Sequence, residues 1–185
     1  MIPRILLARE VALPGGDRVF GGRHPLLVQT MTVAATENTD AVYAEISRLA
    51  EAGAELVRVT VQSVKIAESL EPLRARLDAA GVEVPLAADI HFSPEAALRA
   101  AERVEKIRIN PGNYADGRTL RTEPYSDEEY DAEVAKIAER FSPLITKCKR
   151  LGRIMRIGSN HGSLSSRILS RHGDTPMGMV EAALE

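Results

Sequence analysis

Basic and amide side chains recur near the ends of four apolar runs: Leu56–Val61, Ala88–His91, Lys106–Asn110 and Met155–Ile157, the last followed by Asn160. Residues two apart share a face of a β-strand. Arg58 and Thr60 therefore oppose Val57, Val59 and Val61, and Asp89 and His91 oppose Ala88 and Ile90. Lys106, Arg108 and Asn110 oppose Ile107 and Ile109, and Arg156 opposes Met155 and Ile157. If these strands run parallel, their polar faces meet at one mouth. That mouth carries Arg58, His91, Arg108, Asn110, Arg156 and Asn160 against one acid, Asp89. Guanidinium forks pair with phosphate through donors of fixed geometry, so this set is suited to gripping a multiply charged anion. The plainer alternative is a lattice of structural ion pairs, but the nearby sequence supplies too few acids to neutralise three strand arginines. Two roles are open for Asp89: orienting an arginine, or a direct contact or proton role toward a ligand.

The elements that must position these residues alternate along the chain. Residues 4–21 read as a β-hairpin around Pro14-Gly15-Gly16-Asp17, and 25–32 as a buried strand. Thr39 or Asp40 can cap a helix ended by Gly53, with Val42, Ile46, Leu49 and Ala50 on one stripe. After the strand 56–61, Ser63 can cap one helix reaching Gly81 with Ile66, Leu70, Leu73 and Leu77 on its stripe. A third strand spans 85–91, Ser93-Pro94-Glu95 starts a helix, and a fourth strand spans 106–110. A polar loop, 111–125, leads to a capping box of Ser126 and Glu129. Its helix runs to about Phe141, is kinked or restarted at Ser142-Pro143, and closes at Gly152. The fifth strand is 153–160, residues 163–171 look helical, and Thr175-Pro176 opens a last helix. Strands joined by helical crossovers imply an α/β fold with a parallel sheet. Five β/α units after a hairpin, with no stop signal in the last helix, predict a partial TIM (β/α)8 barrel, since the complete fold takes about 250 residues. The loops Asn110–Asn113 and Gly158–Ser163 carry the small and turn residues whose N–H groups can approach an oxyanion.

Bulk properties narrow the functional classes. The 185 residues are 44% apolar with a formal net charge of −2, which argues against nucleic-acid binding through a broad basic surface. Basic residues are skewed, with 19 Arg and 5 Lys. A single cysteine, Cys148, allows neither a disulfide nor a Cys-ligated metal site within the chain, and His24, His161 and His172 show no ligand spacing. The first residues lack a signal-peptide pattern and no apolar run has membrane-spanning length, so a cytoplasmic location is expected.

The strings VQTMT (28–32), LVRVT (56–60), ADIHF (88–92), KIRINPGN (106–113) and MRIGSNHGSL (155–164) closely resemble the 4-hydroxy-3-methylbut-2-enyl diphosphate synthase family, as does GDTPMGMV (173–180). The resemblance covers nearly the whole chain, in order. It implies an oxidoreductase of the non-mevalonate (MEP) isoprenoid pathway, which reductively opens 2-C-methyl-D-erythritol 2,4-cyclodiphosphate. It also implies a barrel that holds the diphosphate, a 4Fe-4S iron–sulfur cluster on a separate C-terminal domain, and reduced ferredoxin or flavodoxin as electron donor. By motif, Arg58, His91, Arg108 and Arg156 match diphosphate-binding residues, Asn110 and Asn160 match amide contacts, and Asp89 matches an acid near the reacting hydroxyl. The segment 114–153 is longer than in compact members, like the longer plastid and bacterial form. On this reading residues 1–185 are the N-terminal part of the barrel, the iron–sulfur domain and cluster ligands lie outside them, and the fragment is inactive alone. Two other readings are a pterin-binding transferase barrel of the dihydropteroate synthase type, and a non-catalytic phosphate-binding partial barrel. Open sheet edges lead to an expectation of self-association.

Overall fold

A computed structural model describes residues 9–15, 17–110, 114, 121 and 123–185. Two short strands, β1 (Val11–Ala12) and β2 (Val19–Phe20), pair antiparallel, and Leu13 N–H donates to Arg18 O across their turn. The remainder of the expected hairpin, residues 4–8 and Gly16, lies outside the described residues. The main sheet contains β3 (Gln29–Met31), β4 (Leu56–Val61), β5 (Leu86–Ile90), β6 (Lys106–Ile109) and β7 (Ile154–Ile157), in that spatial order and all parallel. Sequential order with helical crossovers is the arrangement of a TIM barrel, here open between β3 and β7 among the described residues.

The helices are α1 (Thr39–Glu51), α2 (Val64–Glu68), α3 (Leu70–Ala79), α4 (Pro94–Ala100), α5 (Asp127–Leu151), α6 (Ser166–His172) and α7 (Pro176–Leu184). The apolar stripes of α1 to α5 cover one face of the sheet. Val42, Ile46, Leu70, Leu73, Leu77, Leu144 and Cys148 pack there with Val57, Val59, Val61, Ala88, Ile90, Ile107 and Ile109. The other face holds a smaller cluster, Leu13, Leu56 and Ala87, against which Phe20, Leu27 and Ile154 pack. The hairpin thus covers the lower part of the inner face.

Several local expectations are corrected. Asn38, rather than Thr39 or Asp40, caps α1, its side-chain oxygen accepting from Ala41 N–H at 3.2 Å. The helix after Ser63 is two helices. Pro72 has no N–H to donate to Glu68 O, and Ser69 Oγ donates to Ile66 O at the junction (2.7 Å), so the ladder breaks there while the Leu stripe stays buried. Strand 25–32 shrinks to three residues because Val28 N–H donates to the Glu55 carboxylate at 2.7 Å. The capping box at Ser126 is present, and α5 runs unbroken through Pro143 to Gly152 in the left-handed conformation. The helix expected over 163–171 is α6, Ser166–His172, capped by Ser165, whose Oγ accepts from Ile168 N–H.

Candidate functional site

Strand register stacks the inner face in layers. Met31, Arg58, Ala87, Lys106 and Ile154 are neighbours in one layer, and Thr60, Asp89, Arg108 and Arg156 in the next, toward the C-terminal ends of the strands. His91 and Asn110 follow the ends of β5 and β6, and Asn160 lies in the loop after β7. The expected mouth therefore exists.

Asp89 is its centre. The residue is only 4% exposed. Arg108 Nη1 donates to its Oδ1 at 2.8 Å, Arg58 Nε lies 3.6 Å from Oδ2, and His91 Nε2 lies 3.8 Å from Oδ1. One buried carboxylate thus holds two guanidiniums and an imidazole from three adjacent strands in place. Arg58 is further steadied by Met31 Sδ, which accepts from its Nε and Nη2 at 3.3 and 3.1 Å. Arg108 Nη2 donates to Gly158 O at 3.0 Å. With the Asn160 amide oriented to satisfy both neighbours, its oxygen accepts from Arg108 Nη2 (2.9 Å) and its nitrogen donates to Ser159 O (3.1 Å). Asn110 is buried and donates to Ser163 Oγ at 2.7 Å, tying the end of β6 to the loop after β7. Arg156 is exposed and has no carboxylate partner among the described residues.

The structure therefore brings together Arg58, Asp89, His91, Arg108 and Asn160, with Arg156 beside them on the same face. Asn110 reaches the group through Ser163. The turn 111–113 falls outside the described residues. In the loop after β7, Gly158 N–H is already donated to Ile109 O at 2.9 Å, so that amide does not serve an oxyanion.

Two features were not singled out in the sequence. The first is the space over Gly158. A Cβ there would stand 2.4 Å from Arg108 Nε and 3.0 Å from Nη2, so glycine is what lets the guanidinium lie flat across the loop. Gly158→Ala is expected to push Arg108 off Asp89 and, with inorganic pyrophosphate as the probe of the anion grip expected from the sequence, to weaken binding about tenfold, the scale of one lost charged hydrogen bond. The melting temperature should change by only a few degrees; calorimetry and thermal denaturation read the two effects. Unchanged affinity would show that Arg108 can shift without consequence.

The second is Lys106, which alternation placed on the inner face without marking it as part of the mouth. It is 6% exposed, its Nζ donates to Gln29 Oε1 at 3.1 Å, and it lies 4.4 Å from the centre of the Phe20 ring. Burial, reinforced by Arg156 and then Arg58, pulls its ammonium down from 10.5 to about 8. The folded value lies below the ordinary one, so the charged form is penalised. The penalty is complete below about pH 8 and is relieved as pH rises toward 10.5. Lys106→Met is accordingly expected to stabilise the ligand-free chain by ~1–3 kcal/mol at pH 7 and by much less at pH 10. Denaturant melts at the two pH values check this, and equal effects at both would contradict it.

Above the hairpin, a cavity of about 440 Å³ is lined by Val11, Phe20, Gln29, Lys106, Ile154, Met155 and Arg156. Among the described residues there is no group of three or more His, Cys, Asp or Glu that could hold a metal ion. Cys148 is 1% exposed in the helix-side core, and burial pushes its thiol up, away from the thiolate a metal requires. The described residues thus do not fit an iron–sulfur cluster. No described helix is long and apolar enough to cross a membrane.

A parallel β/α sheet of TIM-barrel type, with a cationic group at the C-terminal ends of its strands, defines the class of protein. Residues 9–185 match the model of the GcpE TIM-barrel domain, and the chain belongs to that family. It is 51% identical over 171 residues to the 4-hydroxy-3-methylbut-2-en-1-yl diphosphate synthase (flavodoxin) of Protochlamydia amoebophila, covering 92% of this chain and 26% of that protein. The proteins of the same name from Akkermansia muciniphila and Chlorobaculum tepidum are each 51% identical over 179 residues, or 97% of this chain. The chain spans 30% and 24% of their lengths. Among solved structures, the Burkholderia cenocepacia dihydropteroate synthase complexed with 7,8-dihydropteroate aligns at TM-score 0.42 and 16% identity, covering 84% of this chain and 65% of that one. That likeness is too slight to argue from.

Proposed function

We propose that residues 1–185 supply the diphosphate grip of a 4-hydroxy-3-methylbut-2-enyl diphosphate synthase that acts on 2-C-methyl-D-erythritol 2,4-cyclodiphosphate. The observation that carries this reading is the convergence of Arg58, His91 and Arg108 on Asp89, with Arg156, which has no carboxylate partner among the described residues, alongside. Arg108 and Arg156 contact the diphosphate through paired N–H donors, Arg58 and His91 flank it, and Asn110 and Asn160 supply amide contacts. Asp89 lies near the reacting hydroxyl and holds the cations in position until the substrate arrives.

Ring opening consumes two electrons, and the described residues include no cluster of ligands that could hold a metal centre to carry them. The 4Fe-4S cluster belongs to a C-terminal domain of the whole protein, outside residues 1–185. The name of the relatives points to flavodoxin as donor, with ferredoxin as the alternative. The protein works in the cytoplasm. The described sheet leaves one side of β3 and of β7 unpaired, and Leu26 and Val28 beside β3 are 95% and 58% exposed, which supports self-association of the isolated chain.

Titration calorimetry of the chain with the cyclodiphosphate and with a pterin diphosphate tests the assignment. Binding of the first, lost in Arg108→Ala and weakened in Arg156→Ala, is the expected result. Preference for the pterin ester would turn the reading toward a transferase.

A further inference from the structure

Lys106 is a buried cation with no carboxylate to neutralise it among the described residues. Its layer on the inner face holds Met31, Arg58, Ala87 and Ile154, none of them acidic. The groups facing it are Arg58 from β4 and Arg156 from β7, while Gln29 from β3 and Phe20 from the hairpin are neutral. Asp89 on β5, one layer above, is already engaged by Arg108, with Arg58 and His91 close by. No carboxylate reaches Lys106 Nζ among the described residues. A buried ammonium so placed is stabilised either by losing its proton or by gaining an anion nearby.

The missing negative charge has a place to arrive. Successive inner layers of one strand are about 6.6 Å apart, and in a low-dielectric interior charges at that separation still interact strongly. The cavity that Lys106 lines is shared with Arg156, the guanidinium of the mouth that has no carboxylate partner among the described residues. An anion that Arg156 holds from within this cavity therefore shares it with the ammonium. Any ligand charge there offsets the same repulsion from Arg58 and Arg156 that disfavours the protonated form.

We propose that Lys106 is a further cation of the anion site, acting from the layer beneath Arg108 and Arg156, so that binding of a diphosphate draws a proton from solvent onto its Nζ. The neutral amine takes up one proton, no covalent bond to the ligand forms, and the ligand gains a charge that only its own binding stabilises. This rests on the anion-site reading above and adds to it a residue that need not touch the ligand. Affinity then declines as pH rises through about 8, because more of the free chain must be protonated on binding. The residue acts through the field, as a positioning and electrostatic group, rather than as a catalytic one.

The test is calorimetry of the full chain with inorganic pyrophosphate at pH 7, 8 and 9, each in two buffers of different ionisation enthalpy. The wild-type chain, Lys106→Met and Lys106→Arg are compared, so that the ionisation of pyrophosphate itself cancels between variants. The wild-type chain is expected to take up a fraction of a proton more than Lys106→Met near pH 8 and above. Lys106→Met should bind about tenfold more weakly at pH 7, with that deficit shrinking at pH 9. Lys106→Arg, charged throughout, should show no extra proton uptake and should restore affinity at pH 9. Proton uptake and pH profile identical in wild type and Lys106→Met would overturn this proposal while leaving the anion site intact. Absence of pyrophosphate binding in the wild-type chain would overturn both. If Lys106→Arg fails to fold, the comparison with Lys106→Met still decides, since Met replaces the apolar stem of lysine and lacks only the ammonium.

Discussion

Replacing Arg108 with Ala is expected to reduce pyrophosphate affinity by about a hundredfold, and to depress turnover of the intact enzyme at least as far. The expectation follows from how many jobs the guanidinium performs. Its Nη1 holds Asp89 at 2.8 Å, and its Nη2 donates to Gly158 O at 3.0 Å. In register it stands between Asp89 on β5 and Arg156 on β7, so it is the central cation of the layer. A charged hydrogen bond contributes about 1.5–3 kcal/mol, and a desolvated phosphate contact lies at the upper end of that range. Removing the side chain also strands Asp89, whose remaining neighbours are an arginine at 3.6 Å and a histidine at 3.8 Å. Lysine does not substitute, because a single ammonium cannot span a carboxylate, a carbonyl and an incoming phosphate at once. Binding isotherms for Arg108→Ala and Arg108→Lys check this. Near-normal affinity in both would remove Arg108, and the mouth as drawn, from the binding site.

How far the sequence discloses this arrangement depends on whether the cause is local. Alternation within a strand is local, so the inner-face placement of Arg58, Asp89, Lys106, Arg108 and Arg156 follows directly from spacing. So does the helix-side burial of Val57, Val59, Val61, Ile107 and Ile109. Caps are local too: Ser63, Ser93, Ser126 and Thr175 all accept the expected backbone N–H. Register is not local, because it is fixed by hydrogen bonds between segments 19 to 50 residues apart, as with Asp89, Arg108 and Gly158. That is why Arg58 proves to lie one layer below Arg108, and why Lys106, equally visible as an inner-face residue, could not be recognised as an unpaired buried cation. The space that Gly158 leaves for Arg108 belongs to the same class, since a glycine in a loop reads first as turn chemistry. The break between α2 and α3 is legible in Pro72, but the stripe of Ile66, Leu70, Leu73 and Leu77, which runs across it, masks it.

Asp89 offers the sharpest separation of orientation from charge balance. In Asp89→Asn the side chain keeps an oxygen for Arg108 Nη1 and nearly the same volume, while the negative charge disappears from a residue only 4% exposed. Arg108 and Arg58 then face one another with no counter-ion, and breaking a buried charge pair on one side costs about 3–5 kcal/mol. The retained hydrogen bond and the partial exposure of Arg58 place this variant at the lower end of that range. Stability of the ligand-free chain should fall accordingly. Affinity for pyrophosphate should move the other way. Asp89 repels any anion bound beside it, and removing one like charge at roughly 6 Å under an effective dielectric near 20 is worth ~1–3 kcal/mol. Pyrophosphate should therefore bind Asp89→Asn about tenfold more tightly, and should recover most of the lost melting temperature by binding only the folded state. On the proposed function, turnover of the intact enzyme should nevertheless fall, because Asp89 is the acid assigned to the reacting hydroxyl. Thermal melts with and without pyrophosphate, paired with calorimetry, distinguish the outcomes. Weaker binding by Asp89→Asn would mean that the carboxylate's service is to aim Arg58, Arg108 and His91. Tighter binding would mean that it stands in for the ligand's own charge until the ligand displaces it.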